Sequence, residues 1–132
     1  MPRGYDRSET SVHRMNYHFV WCPKYRRPVL VGKIKQRLDE LIRKKCKELG
    51  GEILSLSIAA DHVHLFVKTN PRTAPNMFVG LVKGYTSHEL RNEFPELRSR
   101  LPTLWTRSYF VSTHGHVSDA MIARYIEEQM GV

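Results

Sequence analysis

Hydrophobic and polar residues alternate along four stretches of the chain, and this period of two predicts four β-strands. The first stretch starts at residue 13 and stops at Pro23, because proline cannot donate to a strand ladder. In it, one set of side chains alternates with another: Met15, Tyr17, Phe19 and Trp21 against Asn16, His18, Val20 and Cys22. The second spans residues 52–59, the third starts at His62, and the fourth spans residues 107–113. The second and third are so close in the chain that they are predicted to form a hairpin.

The inward face of each later strand follows from the same alternation. Inward positions of the second and third strands are Leu54, Leu56, Ile58, Val63, Leu65 and Val67. In the fourth, Tyr109 and Val111 share one face.

Hydrophobic residues at helical spacing predict three helices. The first ends at Gly50-Gly51, since glycine adopts the left-handed conformation after a helix at little cost. The second opens near Thr73 as N-cap, with Pro75 in its first turn. The third is capped by Ser118 and runs to about Met130. The apolar faces of the first two helices are Ile34, Leu38, Leu41, Ile42, Cys46 and Leu49, and Phe78, Leu81, Val82, Tyr85 and Leu90.

The order of the elements predicts the fold class. Strand, helix, strand, strand, helix, strand and helix describe an α+β, ferredoxin-like β-α-β-β-α-β sandwich with an antiparallel sheet and an appended C-terminal helix. Residues 92–104 show no clean period and are predicted to be a loop or an irregular short helix. Residues 1–12 are polar and aperiodic, which predicts a flexible N-terminal arm before a single domain over residues 13–132.

The charge of the chain narrows the class of partner. Twenty-one Lys and Arg residues against thirteen Asp and Glu residues give a net charge of +8 and a pI near 9.8. A basic surface attracts polyanions, so nucleic acid is the first expectation. No apolar run approaches the ~18 residues of a membrane span. Cys22 and Cys46 are far apart and lack a CxxC partner, so we expect neither a zinc ribbon nor a disulfide, and a reduced, cytoplasmic location.

One short segment has the composition of a nucleic-acid contact. Lys24, Tyr25, Arg26 and Arg27 place three cations around an aromatic ring, which suits phosphate contact with base stacking. Lys83, on the second helix, is predicted to point towards solvent or DNA.

Candidate chemistry lies on the third strand and the last helix. His62 and His64 share one face of the strand and form half of a metal site, although alone they would more often be two polar residues facing solvent. Tyr125 and Gln129 stand one helical turn apart, and alone they would be a core aromatic and a frayed end. Together, two imidazoles and an amide oxygen can hold a divalent cation with open positions for a phosphate oxygen. Tyr125 is then the candidate nucleophile.

The same residues resemble a known family. Asp61-His62-Val63-His64-Leu65 and Tyr125-Ile126-Glu127-Glu128-Gln129 resemble the single-tyrosine HUH transposases of the TnpA type, which move small bacterial and archaeal insertion sequences as single-stranded DNA. The resemblance extends to residues 17–26, as the first strand and basic turn, and to residues 104–110, as the Trp-containing approach to the last strand. It covers nearly the whole chain.

The resemblance implies a role for each residue. His62, His64 and Gln129 would bind Mg²⁺ or Mn²⁺. Tyr125 would form a 5′-phosphotyrosine and release a 3′-hydroxyl. Asp61 would orient the histidine pair without binding the metal itself. It also implies DNA hairpins near the ends of the element as partners, and a homodimer in which the tyrosine helix of one subunit completes the site of the other.

Several alternatives stay open at this point. One is a non-enzymatic ferredoxin-like module that stacks bases on its sheet. Another is a metal-dependent hydrolase that uses water, and a third is a domesticated relative acting on repeated genomic hairpins. Replication initiators and relaxases share the histidine pair, but a C-terminal tyrosine in a chain of 132 residues favours a transposase. His114 and His116, before the last helix, are expected to be exposed turn residues, with a further ligand or proton shuttle as the alternative.

Overall fold

The computed structural model describes residues 14–113 and 116–132. Its elements follow in this order: β1 (Met15–Trp21), α1 (Gly32–Glu48), β2 (Glu52–Ala59), β3 (His62–Thr69), α2 (Pro75–Glu93), α3 (Glu96–Arg100), β4 (Phe110–Ser112) and α4 (Asp119–Glu128). A short 3-10 turn, Lys24–Arg26, lies between β1 and α1. This confirms the α+β plan and its C-terminal helix. The predicted arm over residues 1–12 lies outside the described residues, as does His114.

The sheet is antiparallel and its strand order is β2-β3-β1-β4. The predicted hairpin is confirmed, because β2 pairs directly with β3. β1 lies between β3 and β4, with Val20 opposite both His64 and Phe110. The histidine strand β3 therefore lies between β2 and β1.

The two faces of the sheet have different coverings. α1 and α2 pack on one face over a fully buried core that includes Phe19, Trp21, Leu38, Leu41, Val63, Leu65, Phe78 and Val82. On the other face, Tyr125 of α4 packs with Val20 of β1 and with Cys22, which directly follows that strand. The middle of β1 is thus buried on both sides, and the chain has a second, smaller apolar cluster on the side opposite the main core.

The inward face predicted for β2 is wrong at one position. Leu54 is 41% exposed, whereas Ile53 packs against the core. The register of β2 against β3 shifts between Ile53 and Ser55. Such a bulge adds one residue to a strand and reverses the alternation on one side of it.

Two details of α2 also differ from prediction. Its N-cap is Ala74 rather than Thr73, although Pro75 does occupy the first turn. Leu81 is 43% exposed, because the buried residues fall within an arc of roughly 120° that excludes it. That arc contains Phe78, Val79, Val82, Thr86 and Leu90. Thr86 is tolerated inside because its hydroxyl donates to the Val82 carbonyl at 2.8 Å.

The predicted helix ends are confirmed at two places. Ser118 accepts a hydrogen bond from the Met121 amide and caps α4, which ends at Glu128, slightly before the predicted boundary. Gly50 follows α1 with φ +78°, the left-handed conformation expected there. The last strand is shorter than residues 107–113, because the Thr106 and Ser108 carbonyls accept hydrogen bonds from a lysine side chain.

The bulge in β2 yields a stability test with a matched control. Leu65 is fully buried, so Leu65→Ala should lower the free energy of unfolding by about 2–5 kcal/mol through lost burial and a cavity. Leu54→Ala removes the same atoms from an exposed site and should change it by less than about 0.5 kcal/mol. Urea unfolding measures both. Equal losses at the two positions would contradict the described register.

Candidate active site

The histidine pair lies on the sheet face opposite the main core. Along β3, buried and half-buried residues alternate strictly, with Val63 and Leu65 fully buried and His62 and His64 half-buried. This confirms the predicted placement of both imidazoles on one face. The same alternation anchors the strand through its valines and leucine and leaves the histidines accessible from the other side.

Asp61 holds one ring nitrogen of His62. Its Oδ1 lies 3.0 Å from His62 Nδ1. A carboxylate only accepts, so Nδ1 carries the proton and Nε2 keeps its lone pair. The other carboxylate oxygen lies 3.3 Å from Arg26 Nε. This geometry agrees with the orienting role predicted for Asp61, which stays a prediction.

A third imidazole joins the pair from β1. His18 Nδ1 lies 3.0 Å from His64 Nε2, and the His18 ring stacks on Phe66 with centroids 4.0 Å apart and planes 5° from parallel. Burial lowers the pKa of His64, and the neighbouring His18 and His62 lower it further. The neutral imidazole is the form that binds a metal. Sequence reasoning missed His18 as a site residue, although the alternation along β1 already placed it on the same face as Val20.

Tyr125 and Gln129 meet on a residue that the sequence did not single out. Ser108 Oγ lies 2.9 Å from Gln129 Oε1 and 3.1 Å from Tyr125 Oη. Ser108 donates to the amide oxygen, and in its contact with Tyr125 either hydroxyl can be the donor. Burial raises the pKa of Tyr125, with the Ser108 hydrogen bond acting in the opposite direction. The phenol is therefore protonated at neutral pH.

The predicted site residues thus form two groups. Tyr125 and Gln129 meet on Ser108, just before β4, while His62 and His64 bond to Asp61 and His18. β1 lies between β3 and β4, and neighbouring strands are about 4.8 Å apart. Each group is built within the chain, and Arg26 contacts both Asp61 of one group and the α4 backbone that carries the other.

The histidine pair fits a divalent cation as half of a coordination shell. Within residues 14–113 and 116–132, no group of three or more His, Cys, Asp or Glu side chains is arranged to hold a metal ion. Further ligands that suit Mg²⁺ or Mn²⁺ would be amide, phosphate or water oxygens. Gln129 fits this role once its Oε1 leaves Ser108.

The basic turn follows β1 in a conformation that is uncommon for residues with side chains. Tyr25 and Arg26 have φ values of +60° and +53°. Lys24 Nζ and the Arg27 guanidinium lie 5.2 and 5.9 Å from the centre of the Tyr25 ring, which is 39% exposed. Arg26 turns inward instead, to Asp61 and to the Ile126 carbonyl of α4 at 3.5 Å. Contact of this turn with DNA stays a prediction.

Lys83, which was predicted to point towards solvent or DNA, is half-buried, and its ammonium has partners within the chain. Its ammonium donates to the carbonyls of Thr106 and Ser108, both at 2.8 Å. Burial lowers the pKa of Lys83 to about 8, with Cys22 acting weakly the other way. The side chain therefore fixes the segment that carries Ser108, whereas its contact with DNA is untested.

Two remaining expectations concern exposure and membranes. His116 is exposed, as predicted for a turn residue. None of the helices that the structure describes is long and apolar enough to cross a membrane.

Comparisons of sequence place these features among known proteins. The family model described as "Transposase IS200 like" matches residues 11–129. The ISDra2 transposase TnpA of Deinococcus radiodurans is 34% identical over 129 residues, which cover 96% of this chain and 88% of the relative. The transposase for insertion sequence element IS200 of Salmonella typhimurium is 33% identical over 116 residues, which cover 86% and 76%.

Comparisons of structure agree with them. The crystal structure of a protein from Deinococcus radiodurans R1, assigned as a transposase, superposes with a TM-score of 0.88 at 30% identity and covers 97% of this chain and all of that one. A REP-associated tyrosine transposase bound to a REP hairpin superposes with a TM-score of 0.58 at 15% identity, covering 94% of this chain and 68% of that one. The second likeness concerns the fold alone.

The contacts of Lys83 predict a pH-dependent stability. Its pKa is about 8 in the folded chain against 10.5 for an ordinary lysine. Between pH 8 and pH 10.5, the unfolded chain therefore binds the Lys83 proton more tightly than the folded chain does. The contribution of Lys83 to stability is present above about pH 10.5 and is lost as the pH falls through 8. Urea unfolding of the wild type and Lys83→Met measures the free energy of unfolding of each at about pH 7 and about pH 10. The value for the wild type minus the value for Lys83→Met should be larger at the higher pH. A difference that does not change would contradict the buried position of the ammonium.

Proposed function

The chain belongs to the family of IS200-like transposases, and from that premise we propose that it cleaves and rejoins single-stranded DNA at hairpins that mark the ends of an insertion sequence. The main support is the placement of Tyr125 on a helix that packs against the sheet face carrying the histidine pair. A phenol that serves only as a core residue does not require two imidazoles on the same face.

The proposed reaction is a transesterification through Tyr125. Its Oη attacks the scissile phosphorus and forms a new O–P bond to the 5′ side of the break. The P–O3′ bond breaks, the 3′-oxygen takes up a proton to become a hydroxyl, and the phenol proton passes to solvent or to a base. A 3′-hydroxyl of a second strand then attacks the phosphotyrosine and regenerates the phenol. No bond energy is lost, so ATP is not needed.

The raised pKa of Tyr125 explains why assistance is needed. A divalent cation, Mg²⁺ or Mn²⁺, would supply Lewis-acid polarisation of the phosphate when bound. His62 and His64 would hold it, together with Gln129. Asp61 keeps the proton of His62 on Nδ1, which leaves Nε2 available as a ligand.

Two chains are proposed to share each site. Attack requires the phenol oxygen within about 3–3.5 Å of phosphorus. Tyr125 is instead bonded to Ser108, on the far side of β1 from His64. A homodimer in which α4 of the partner supplies the tyrosine and the amide to the histidine pair would meet this requirement.

The DNA surface is proposed to include the basic turn. Lys24 and Arg27 are placed to contact phosphates, and the exposed ring of Tyr25 between them is placed to stack on a base. Arg26 would not face the DNA directly and would instead contact Asp61. The net charge of +8 supports a polyanionic partner, and a hairpin is the ligand of the REP-associated relative.

A covalent-adduct assay tests the proposed nucleophile. The wild type should form a shifted band with single-stranded oligonucleotides tiled across the flanks of the gene, in Mg²⁺ or Mn²⁺ but not in EDTA. Tyr125→Phe should lower adduct formation roughly a thousandfold or more, because the attacking oxygen is absent. His64→Ala should do likewise by loss of a ligand. A denaturing gel measures all three.

The matched control makes the same chemical change elsewhere. Tyr85→Phe removes a hydroxyl from the helical side of the sheet and should leave the adduct unchanged. An adduct on Tyr125→Phe would move the nucleophile to another residue, and cleavage without an adduct would indicate water. Hairpin binding without cleavage by the wild type would favour a non-enzymatic binding module.

A further inference from the structure

His18 is a buried imidazole whose ring is held flat by its neighbour. It lies in the middle of β1, is 8% exposed, and sits opposite Phe66 of β3 in the strand register. The two rings are nearly parallel at 4.0 Å. A polar ring at this depth costs free energy unless its nitrogens find partners, so a hydrophobic residue would fill the place at lower cost. The contact of its Nδ1 with His64 Nε2 supplies the reason for a histidine.

The direction of this hydrogen bond determines which nitrogen of His64 keeps a lone pair for a ligand. One of two nitrogens 3.0 Å apart must carry the proton. If His64 Nε2 donates to His18, then Nδ1 of His64 keeps its lone pair for a cation. Asp61 does the same for His62 by accepting from Nδ1 and leaving Nε2. Each histidine of the pair is thus held through one nitrogen and presents the other, as metal ligands usually are.

His18 does not fit the alternative role of a third ligand. In the described part of the chain, no three side chains of His, Cys, Asp or Glu are arranged around a common point for a metal. Its ring is also fixed by the stacking on Phe66 and turns its Nδ1 towards His64. These contacts match a residue that acts through His64.

We propose that His18 is a positioning residue that orients the ring of His64 and selects its metal-binding tautomer. The inference rests on the metal-assisted reaction proposed above. It predicts that the hydrogen bond that His18 accepts from His64, and not the bulk of the His18 ring, sets the affinity of the protein for a divalent cation.

Two variants separate the hydrogen bond from the packing. His18→Phe keeps an aromatic ring to stack on Phe66 but removes the nitrogen, and His18→Asn supplies a carbonyl oxygen near the position of Nδ1. We expect His18→Phe to weaken Mn²⁺ binding by about 10–100-fold and His18→Asn to recover most of that loss. The measurement is the amount of free Mn²⁺ by electron paramagnetic resonance during titration of the full chain, without DNA. His64→Ala is the control that should remove the site.

Two further readouts exclude a merely structural effect. The thermal midpoint of His18→Phe should not fall below that of the wild type, and its affinity for single-stranded DNA in EDTA should equal that of the wild type. In the adduct assay, the Mn²⁺ concentration for half-maximal rate should rise, while the rate at saturating Mn²⁺ changes less.

Each result decides the proposal. Unchanged Mn²⁺ affinity in His18→Phe would overturn it, as would the absence of Mn²⁺ binding by the wild type. Tighter binding would also overturn it, because His18 would then shield His64 from the cation. If the wild type binds Mn²⁺ in a His18-dependent manner but forms no adduct, the positioning role stands and the proposed transesterification fails.

Discussion

The antiparallel register of β1 against β3 gives opposite roles to successive side chains of the histidine strand. Val63 and Leu65 are fully buried under the helices, so His62 and His64 must lie on the other face. A shift of one residue would exchange the two sets and bury both imidazoles in an apolar core. The burial that stabilises the sheet therefore also fixes where the histidine pair lies, and the same register brings His18 within hydrogen-bond distance of His64.

The tyrosine helix is attached to this framework far less extensively. Its apolar contact is a small cluster around Val20, Cys22 and Tyr125, separate from the main core. Polar contacts from Ser108 and Arg26 complete the attachment. Elements with few buried contacts are the ones that open or exchange most easily. The tyrosine helix is thus held by a small apolar cluster and a few hydrogen bonds, while the histidine strand is fixed in the core.

Local patterns in the sequence predicted the elements and the faces, but not the long-range contacts. The alternation from His62 onwards and the cap at Ser118 have strong local signals, and both were confirmed. Leu54 was misplaced, because a bulge needs no distinctive residue. The helical period put Lys83 on a side of its helix, but it could not reveal that two carbonyls 23 and 25 residues away accept its protons. Ser108 likewise gains its importance only from a helix that follows it.

In the proposed homodimer, the two groups of site residues are each built within one chain, and the histidine pair of one chain meets the tyrosine helix of the other. Mixing Tyr125→Phe with His64→Ala tests it, because one shared site of each mixed dimer would contain an intact histidine pair and an intact tyrosine. Cleavage of single-stranded DNA should return to about a quarter of the wild-type level after equal mixing and subunit exchange, since half of the dimers are mixed and each has one intact site. A mixture as inactive as either variant alone, with mixed dimers verified by mass, would contradict the account.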